Sequence, residues 1–118
     1  MLLVDDNTIN LKAMKSQLEH AGFKVTTANN GLQAVQSCRE QHFDLVLMDV
    51  QMPEMDGLEA TRQIKHEQGS HAPPIIGISA HVMEEHINNA YDAGMKDYLC
   101  KPIKEIDLIK TVHDKLSH

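Results

Sequence analysis

Residues 43–57 read FDLVLMDVQMPEMDG, and the rest of the chain takes its meaning from them. Leu45, Val46, Leu47 and Met48 form an unbroken apolar run, too short for a helix and suited to a strand buried on both faces. The run stops on an acid, Asp49. Pro53 cannot continue a central strand, and Asp56-Gly57 signals a turn or a helix start. A carboxylate at the carboxyl end of a buried strand stands where open α/β sheets place their ligands. Taken alone, Asp49 could equally be mere punctuation at a strand end.

Outward from this stretch, strands and helical periodicities alternate. Leu2-Leu3-Val4 reads as a buried strand ending in Asp5-Asp6. Residues 8–21 carry Leu11, Met14, Leu18 and Ala21 at helical spacing, with Gly22 as the stop. Residues 24–28 alternate weakly as a second strand, closed by Asn29-Asn30-Gly31. A helix over 32–41 buries Ala34, Val35 and Cys38. The strand over 43–48 and a helix over 58–67 follow, and residues 69–74 form a surface loop. Ile75–Ser79 is a fourth strand, followed by a helix with Met83, Ile87 and Ala90 on one stripe and Gly94 at its end. A fifth strand, Asp97–Cys100, leads into Lys101-Pro102. A last helix, from about residue 104, buries Ile109, Val112 and Leu116. Five alternations imply a parallel sheet between two layers of helices, joined by right-handed crossovers.

Bulk properties exclude several classes. The 118 residues make one domain by length, with 42% apolar and 24% charged residues, an ordinary globular composition. Aromatics are confined to Phe23, Phe43, Tyr91 and Tyr98, so the core is aliphatic. A net charge of −6 opposes direct nucleic-acid binding and contact with an anionic membrane surface. Cys38 and Cys100 lack C-x-x-C spacing, which signals neither a zinc site nor a redox dithiol and suits a reduced, cytoplasmic setting. No strictly apolar run exceeds four residues, so neither a signal peptide nor a membrane span is expected. The first strand opens the chain, which reads as trimmed to the minimum of its fold, either a whole protein or a domain cut from a longer one.

A parallel sheet gathers all its carboxyl ends along one edge. Asp5 and Asp6 arrive there from the first strand, Asp49 from the third, Ser79 from the fourth and Lys101 from the fifth. Two carboxylates about 5 Å apart at an effective dielectric of 20 repel by roughly 3 kcal/mol. A cation or a proton must relieve such a cluster, and hard oxygen ligands with open positions suit Mg²⁺. Lys101 offers a point charge to an anion and Ser79 a hydrogen-bond donor, the equipment of phosphoryl transfer. Singly, each residue has a plainer role: Asp5 and Asp6 favour a helix amino end, Lys101 is a solvated lysine, and Ser79 is a strand-end hydroxyl. Their joint arrival carries the functional reading.

VDDN at 4–7, LMDVQMPEMDG at 47–57, ISA at 78–80 and DYLCKPI at 97–103 resemble the receiver domain of two-component response regulators. The resemblance covers essentially the whole chain, 1–118. It implies a flavodoxin-like, doubly wound, five-stranded parallel sheet of order 2-1-3-4-5 with five helices. It also implies that Asp49 accepts the phosphoryl group and that Asp5, Asp6, Asp49 and the main-chain carbonyl of Gln51 hold Mg²⁺. Lys101 would pair with the phosphoryl oxygens, Ser79 would donate to them, and Tyr98 would turn inward on activation. Lys101-Pro102 would be a cis peptide. VDDN with Asn10, MPEMDGLEATR and GMKDYLCKPI look most like receivers attached to hybrid sensor histidine kinases. The implied partner is then a histidine kinase or histidine phosphotransfer domain, as donor or acceptor. The implied place is the cytoplasmic side of the membrane. Such a domain catalyses its own phosphoryl transfer and hydrolysis but is not a stand-alone enzyme.

Departures from the family pattern are small: Gly77 lies inside a strand, and serine stands at 79 where threonine would restrict the rotamer. A phosphorylation-independent binding module of the same fold is the alternative, marked by loss of an acid or the lysine, and all are present. A nucleotide or flavin site lacks both a G-x-G and a Walker pattern. A phosphatase of the haloacid-dehalogenase type would want D-x-D where this chain has Asp49-Val50-Gln51. On the first helix Ile9 lies about 160° from the buried stripe at 100° per residue. With Ala13, Pro102 and Ile103 it is the expected docking patch for a phosphodonor helix. His81 and Gln51, two residues beyond Ser79 and Asp49, are expected to tune hydrolysis of the phosphoaspartate. The eight histidines are read as surface or helix-end residues, and His81 and His86 cannot share a ligand face.

Overall fold

Apolar runs of three to five residues meet in the middle of the molecule as one parallel sheet. A computed structural model describes residues 1–50, 52, 55–80, 84–101 and 103–116. The strands are β1 (Leu2–Val4), β2 (Thr26–Ala28), β3 (Val46–Asp49), β4 (Ile75–Ser79) and β5 (Asp97–Cys100). They lie in the order β2-β1-β3-β4-β5, every pairing parallel, as the resemblance implied. The helices are α1 (Thr8–His20), α2 (Gly31–Glu40), α3 (Gly57–Gln68), α4 (Glu84–Ala93) and α5 (Glu105–Leu116). Between α3 and β4 the expected loop contains a single 3-10 turn, Gly69–His71.

The two faces of the sheet bury different clusters. Leu2, Val4, Val46, Met48 and Ile75 pack with Ala34, Val35, Ala60, Ile64 and Ala90 of α2, α3 and α4. Leu3, Leu47, Ile76 and Ile78 pack with Leu11, Leu18, Leu108 and Val112 of α1 and α5. Alternate residues of each strand therefore serve opposite layers, the period-two geometry of a strand covered on both sides. Each fully buried Leu or Ile contributes about 1.5–3 kcal/mol.

Three helix starts are capped by side chains that the sequence supplies at the carboxyl edge. Asn7 Oδ1 accepts from the amides of Ile9 at 3.0 Å and Asn10 at 3.1 Å. Asn30 Oδ1 accepts from Gln33 at 2.8 Å and Asp56 Oδ1 from Glu59 at 2.8 Å. Asx side chains satisfy amides that a helix start leaves unpaired.

Three expectations need correction. Ala21 is exposed, because the helix ends at His20 and Ala21 serves as its cap, its amide donating to the Gln17 carbonyl and that of Gly22 to the Glu19 carbonyl. In α5 the buried residues are Leu108 and Val112, while Ile109 and Leu116 are half-buried. Ile106 and Ile109 form a second apolar stripe beside the core one, so periodicity alone set the phase one residue late. β2 and β3 both begin later than expected: Lys24 and Val25 run ahead of the first ladder, and residues 43–45 precede β3, which ends on Asp49 itself. Met83 falls outside the described residues.

Candidate functional site

The carboxyl edge of the sheet brings the acids of β1 and β3 together. β1 and β3 are neighbours with Val4 opposite Met48, so the residues that follow each strand emerge side by side. Asp5, Asp6 and Asp49 each place a carboxylate oxygen within 4.8 Å of the others. Asp5 and Asp49 are buried, whereas Asp6 is exposed. The amide of Asn7 donates to Asp5 Oδ1 at 2.9 Å, so the cap of α1 also orients a pocket acid. Asp5 is not itself the cap; Asn7 takes that role.

Lys101 faces the cluster from the end of β5. Its Nζ lies 3.2 Å from Asp49 Oδ2 and 3.6 Å from Asp5 Oδ2. The lysine side chain keeps 28% exposure while the two carboxylates keep 3% and 4%, so its ammonium closes the pocket from the solvent side. Among the described residues one ammonium faces three carboxylates there. The Lys101 amide donates to the Ser79 carbonyl at 2.8 Å, joining the ends of β4 and β5. Ser79 is buried, at the same edge.

Backbone packing fixes Asp49. The amide of Val50 donates to the Ile78 carbonyl at 2.9 Å, and the amide of Gly57 returns to the Val50 carbonyl at 2.9 Å. Gly57 opens α3 directly against the Asp49 carbonyl. A Cβ there would collide with that oxygen and come within 2.9 Å of Met48 Cγ. The sequence marked Asp56-Gly57 as a turn or helix start; the structure adds that only glycine lets the helix approach the acid this closely.

Asp5, Asp6, Asp49 and Lys101 thus come together, and Ser79 ends the neighbouring strand at the same edge. Gln51, His81 and Pro102 lie outside the described residues, so the fourth ligand, the residues expected to tune hydrolysis and the cis peptide rest on the sequence. Tyr98 is half-buried on β5 against the α2–α4 side of the core. Beside the pocket a cleft of about 470 Å³ is lined by Ala13, Met14, Gln17, Ala80, Lys101 and Ile103, with Asn10. Ile9, at 80% exposure, stands on the helix that forms one wall.

The donor set fits a small hard cation: carboxylate oxygens, two of them buried, excess negative charge and, among the described residues, no sulfur or imidazole within the cluster. Such oxygens suit Mg²⁺. A doubly wound parallel sheet with an acidic pocket and an opposing ammonium at its carboxyl edge places the molecule in the class of α/β domains that keep their site at the strand ends.

The chain belongs to the response regulator receiver domain family, whose model matches residues 1–113. Sensor protein GacS of Pseudomonas syringae pv. syringae is 42% identical over 115 residues, covering 95% of this chain and 13% of that protein. The chain therefore spans only about an eighth of that relative. The polar-differentiation response regulator DivK of Brucella ovis is 33% identical over 116 residues, covering 98% of this chain and 94% of that one. Among solved structures, the receiver domain of sensor histidine kinase PA1611 from Pseudomonas aeruginosa PAO1 superposes with a TM-score of 0.91 at 36% identity. It covers 99% of this chain and 96% of that one, and it is described with a magnesium ion coordinated in its active-site cleft. Among the described residues no helix is long and apolar enough to cross a membrane.

Proposed function

We propose that residues 1–118 form a receiver domain that takes a phosphoryl group from phosphohistidine onto Asp49 and switches partner binding in response. One observation carries this reading: a buried Asp49 carboxylate with an ammonium 3.2 Å away and two further acids within 4.8 Å.

Asp5, Asp6 and Asp49 are the residues that would hold Mg²⁺. Once bound, the ion supplies charge neutralisation for the equatorial phosphoryl oxygens. The remaining steps belong to the chain. A carboxylate oxygen of Asp49 attacks phosphorus in line with the P–N bond of the donor. The new O–P bond forms as the P–N bond breaks, and its electron pair returns to the imidazole nitrogen. Lys101 moves its attraction from the free carboxylate to the incoming phosphoryl oxygens, an interaction stronger in the transition state than before it. Burial of Asp49 excludes bulk water and strengthens both interactions. The Ser79 hydroxyl donates to a phosphoryl oxygen and draws the end of β4 inward. Tyr98 follows, and the face of α4, β5 and α5 changes shape: a local charge event biasing a two-state element.

The donor is a histidine kinase or a histidine phosphotransfer domain. Its helix docks on the cleft between α1 and the β5–α5 connection, where Ile9, Ala13 and Ile103 offer apolar contact beside Lys101. The GacS likeness, with the chain covering 13% of that protein, supports a receiver carried within a longer sensor kinase; the thiol pattern read from the sequence suits the cytoplasmic side of the membrane.

The experiment uses acetyl phosphate and a phosphohistidine donor, each with Mg²⁺, followed by intact-protein mass spectrometry. The chain should gain one phosphoryl group and Asp49→Asn none; phosphorylation of Asp49→Asn would refute the assignment. Ile9→Asp should slow transfer from the protein donor by about tenfold, the effect of losing roughly 1.4 kcal/mol of docking energy. Its rate with acetyl phosphate should stay the same. Equal loss with both donors would remove Ile9 from the docking surface.

A further inference from the structure

Gly77 sits in the interior of β4, two residues before Ser79, where a glycine weakens a strand and marks a close approach of something else. Its neighbours show what approaches. In the sheet register Gly77 lies opposite Tyr98. A Cβ at Gly77 would meet Met95 Sδ at 2.5 Å, Tyr98 Cδ2 at 3.3 Å and Met95 Cε at 3.4 Å. The room a side chain would need is already filled from β5 and from the turn before it.

The turn is held by its own backbone. Gly94, at φ 110°, ends α4; its amide donates to Tyr91 at 3.0 Å and that of Met95 to Ala90 at 3.1 Å. This pair of bonds is a Schellman motif. The amide of Lys96 then donates to the Ile75 carbonyl at 2.8 Å, which ties the turn to β4. Met95 is consequently buried at 4% exposure, its backbone fixed and its thioether laid over Gly77. An aromatic ring over a strand glycine is a recognised way to cover bare backbone.

We propose that the bare position at Gly77 is the seat of the Tyr98 ring, with Met95 as its wall, and that Gly77 is the positioning residue for the switch. The proposal rests on the reading that Tyr98 carries the signal from Ser79. Gly77 and Ser79 are alternate residues of one strand and share a face. A ring moving along that face toward Ser79 meets no side chain of residue 77 itself, only the flexible Met95 thioether laid over it. A methyl there would hold the ring off the strand, disfavouring the inward orientation and, by linkage, weakening whatever ligand requires it.

The test uses the whole chain, with Tyr98 ring resonances and the affinity for beryllofluoride with Mg²⁺ as readouts. Gly77→Ala should move the Tyr98 resonances before any ligand is added and weaken beryllofluoride binding by at least about fivefold. Met95→Ala introduced beside it should return both toward the original values, because the shortened wall clears the methyl. Unmoved resonances in Gly77→Ala, or a double variant whose effects are the plain sum of the single ones, would overturn the proposal. Should Gly77→Ala fail to fold, Met95→Ala alone decides: the seat loses its wall and the Tyr98 resonances must move, and their constancy would overturn it. Failure of the underlying reading shows separately, as an unmodified chain that accepts no phosphate at Asp49.

Discussion

Two clusters of charge in this molecule obey opposite logic. At the lower rim of the helical layer, Arg39 of α2 and Glu67 of α3 form a two-pronged pair, Nε to Oε1 and a second nitrogen to Oε2, both at 2.6 Å. One cation meets one anion, and Arg39 remains 53% exposed. At the carboxyl edge three carboxylates meet one ammonium among the described residues, and Asp5 and Asp49 are almost wholly buried. The balanced pair needs nothing further; it fastens two helices. The acidic one carries excess negative charge among the described residues, the kind of surroundings that suit a hard cation. Charge count and burial, more than the number of charged residues, separate structure from function here.

The sharpest way to break the unbalanced cluster without touching a charge is Gly57→Ala. The added methyl collides with the Asp49 carbonyl, so either α3 or the acid must shift. Overpacking of this kind costs about 1–3 kcal/mol. Chemical denaturation should show the loss, and phosphorylation by acetyl phosphate should slow more than stability alone explains, because the carboxylate leaves its position opposite Lys101. Loss of stability with an unchanged rate per folded molecule would mean that Gly57 does not position Asp49.

Asp6→Asn tests the imbalance itself. Two carboxylates at about 5 Å repel by roughly 3 kcal/mol, which solvent at the exposed Asp6 reduces to about 1 kcal/mol. Metal-free protein should therefore become more stable by that amount, while the stabilisation gained on adding Mg²⁺ shrinks. Thermal melts with and without Mg²⁺ read both. A variant less stable without metal, or one with an undiminished response to Mg²⁺, would show that Asp6 is not part of an uncompensated site.

The two clusters also differ in how readily the sequence disclosed them. Asp5, Asp6, Asp49, Ser79 and Lys101 each end an apolar run, and topology alone collects strand ends at one edge, so their meeting was legible without coordinates. Arg39 and Glu67 lie 28 residues apart on two helices whose relative rotation no local pattern specifies, and their pairing was not foreseen. The same limit applies to Gly77. Its cost to the strand was visible as a propensity, but the sulfur and ring that fill its place come from residues 95 and 98 through tertiary packing. In α5 the signal was present but ambiguous, since the stripe of Ile106 and Ile109 competes with that of Leu108 and Val112. Gly57 combined both kinds of information: a turn glycine in the sequence, a close approach in the fold.

The balanced pair yields the smallest effect and a clean pH signature. Hydrogen bonds from Arg39, then from Gln63, hold the Glu67 carboxyl down at about 2, well below the usual carboxylate range. A group whose folded pKa is depressed adds stability that is fully present above its unfolded value, about 4.3, and is lost as pH falls toward the folded one. Arg39→Met removes the strongest donor and should return Glu67 toward ordinary carboxylate titration. The native protein should then exceed the variant in stability by a constant amount from neutral pH down to about 4.5. That margin should close progressively between there and pH 2. Urea unfolding across this range measures the margin, and the Glu67 side-chain carbon resonance follows the titration directly. Phosphorylation of Asp49 should be indifferent to the change, because the pair lies on helices α2 and α3 away from the carboxyl edge. A margin that stays constant down to pH 2, or a Glu67 that titrates near 4 in the native chain, would show that the fork seen between these helices does not persist in solution.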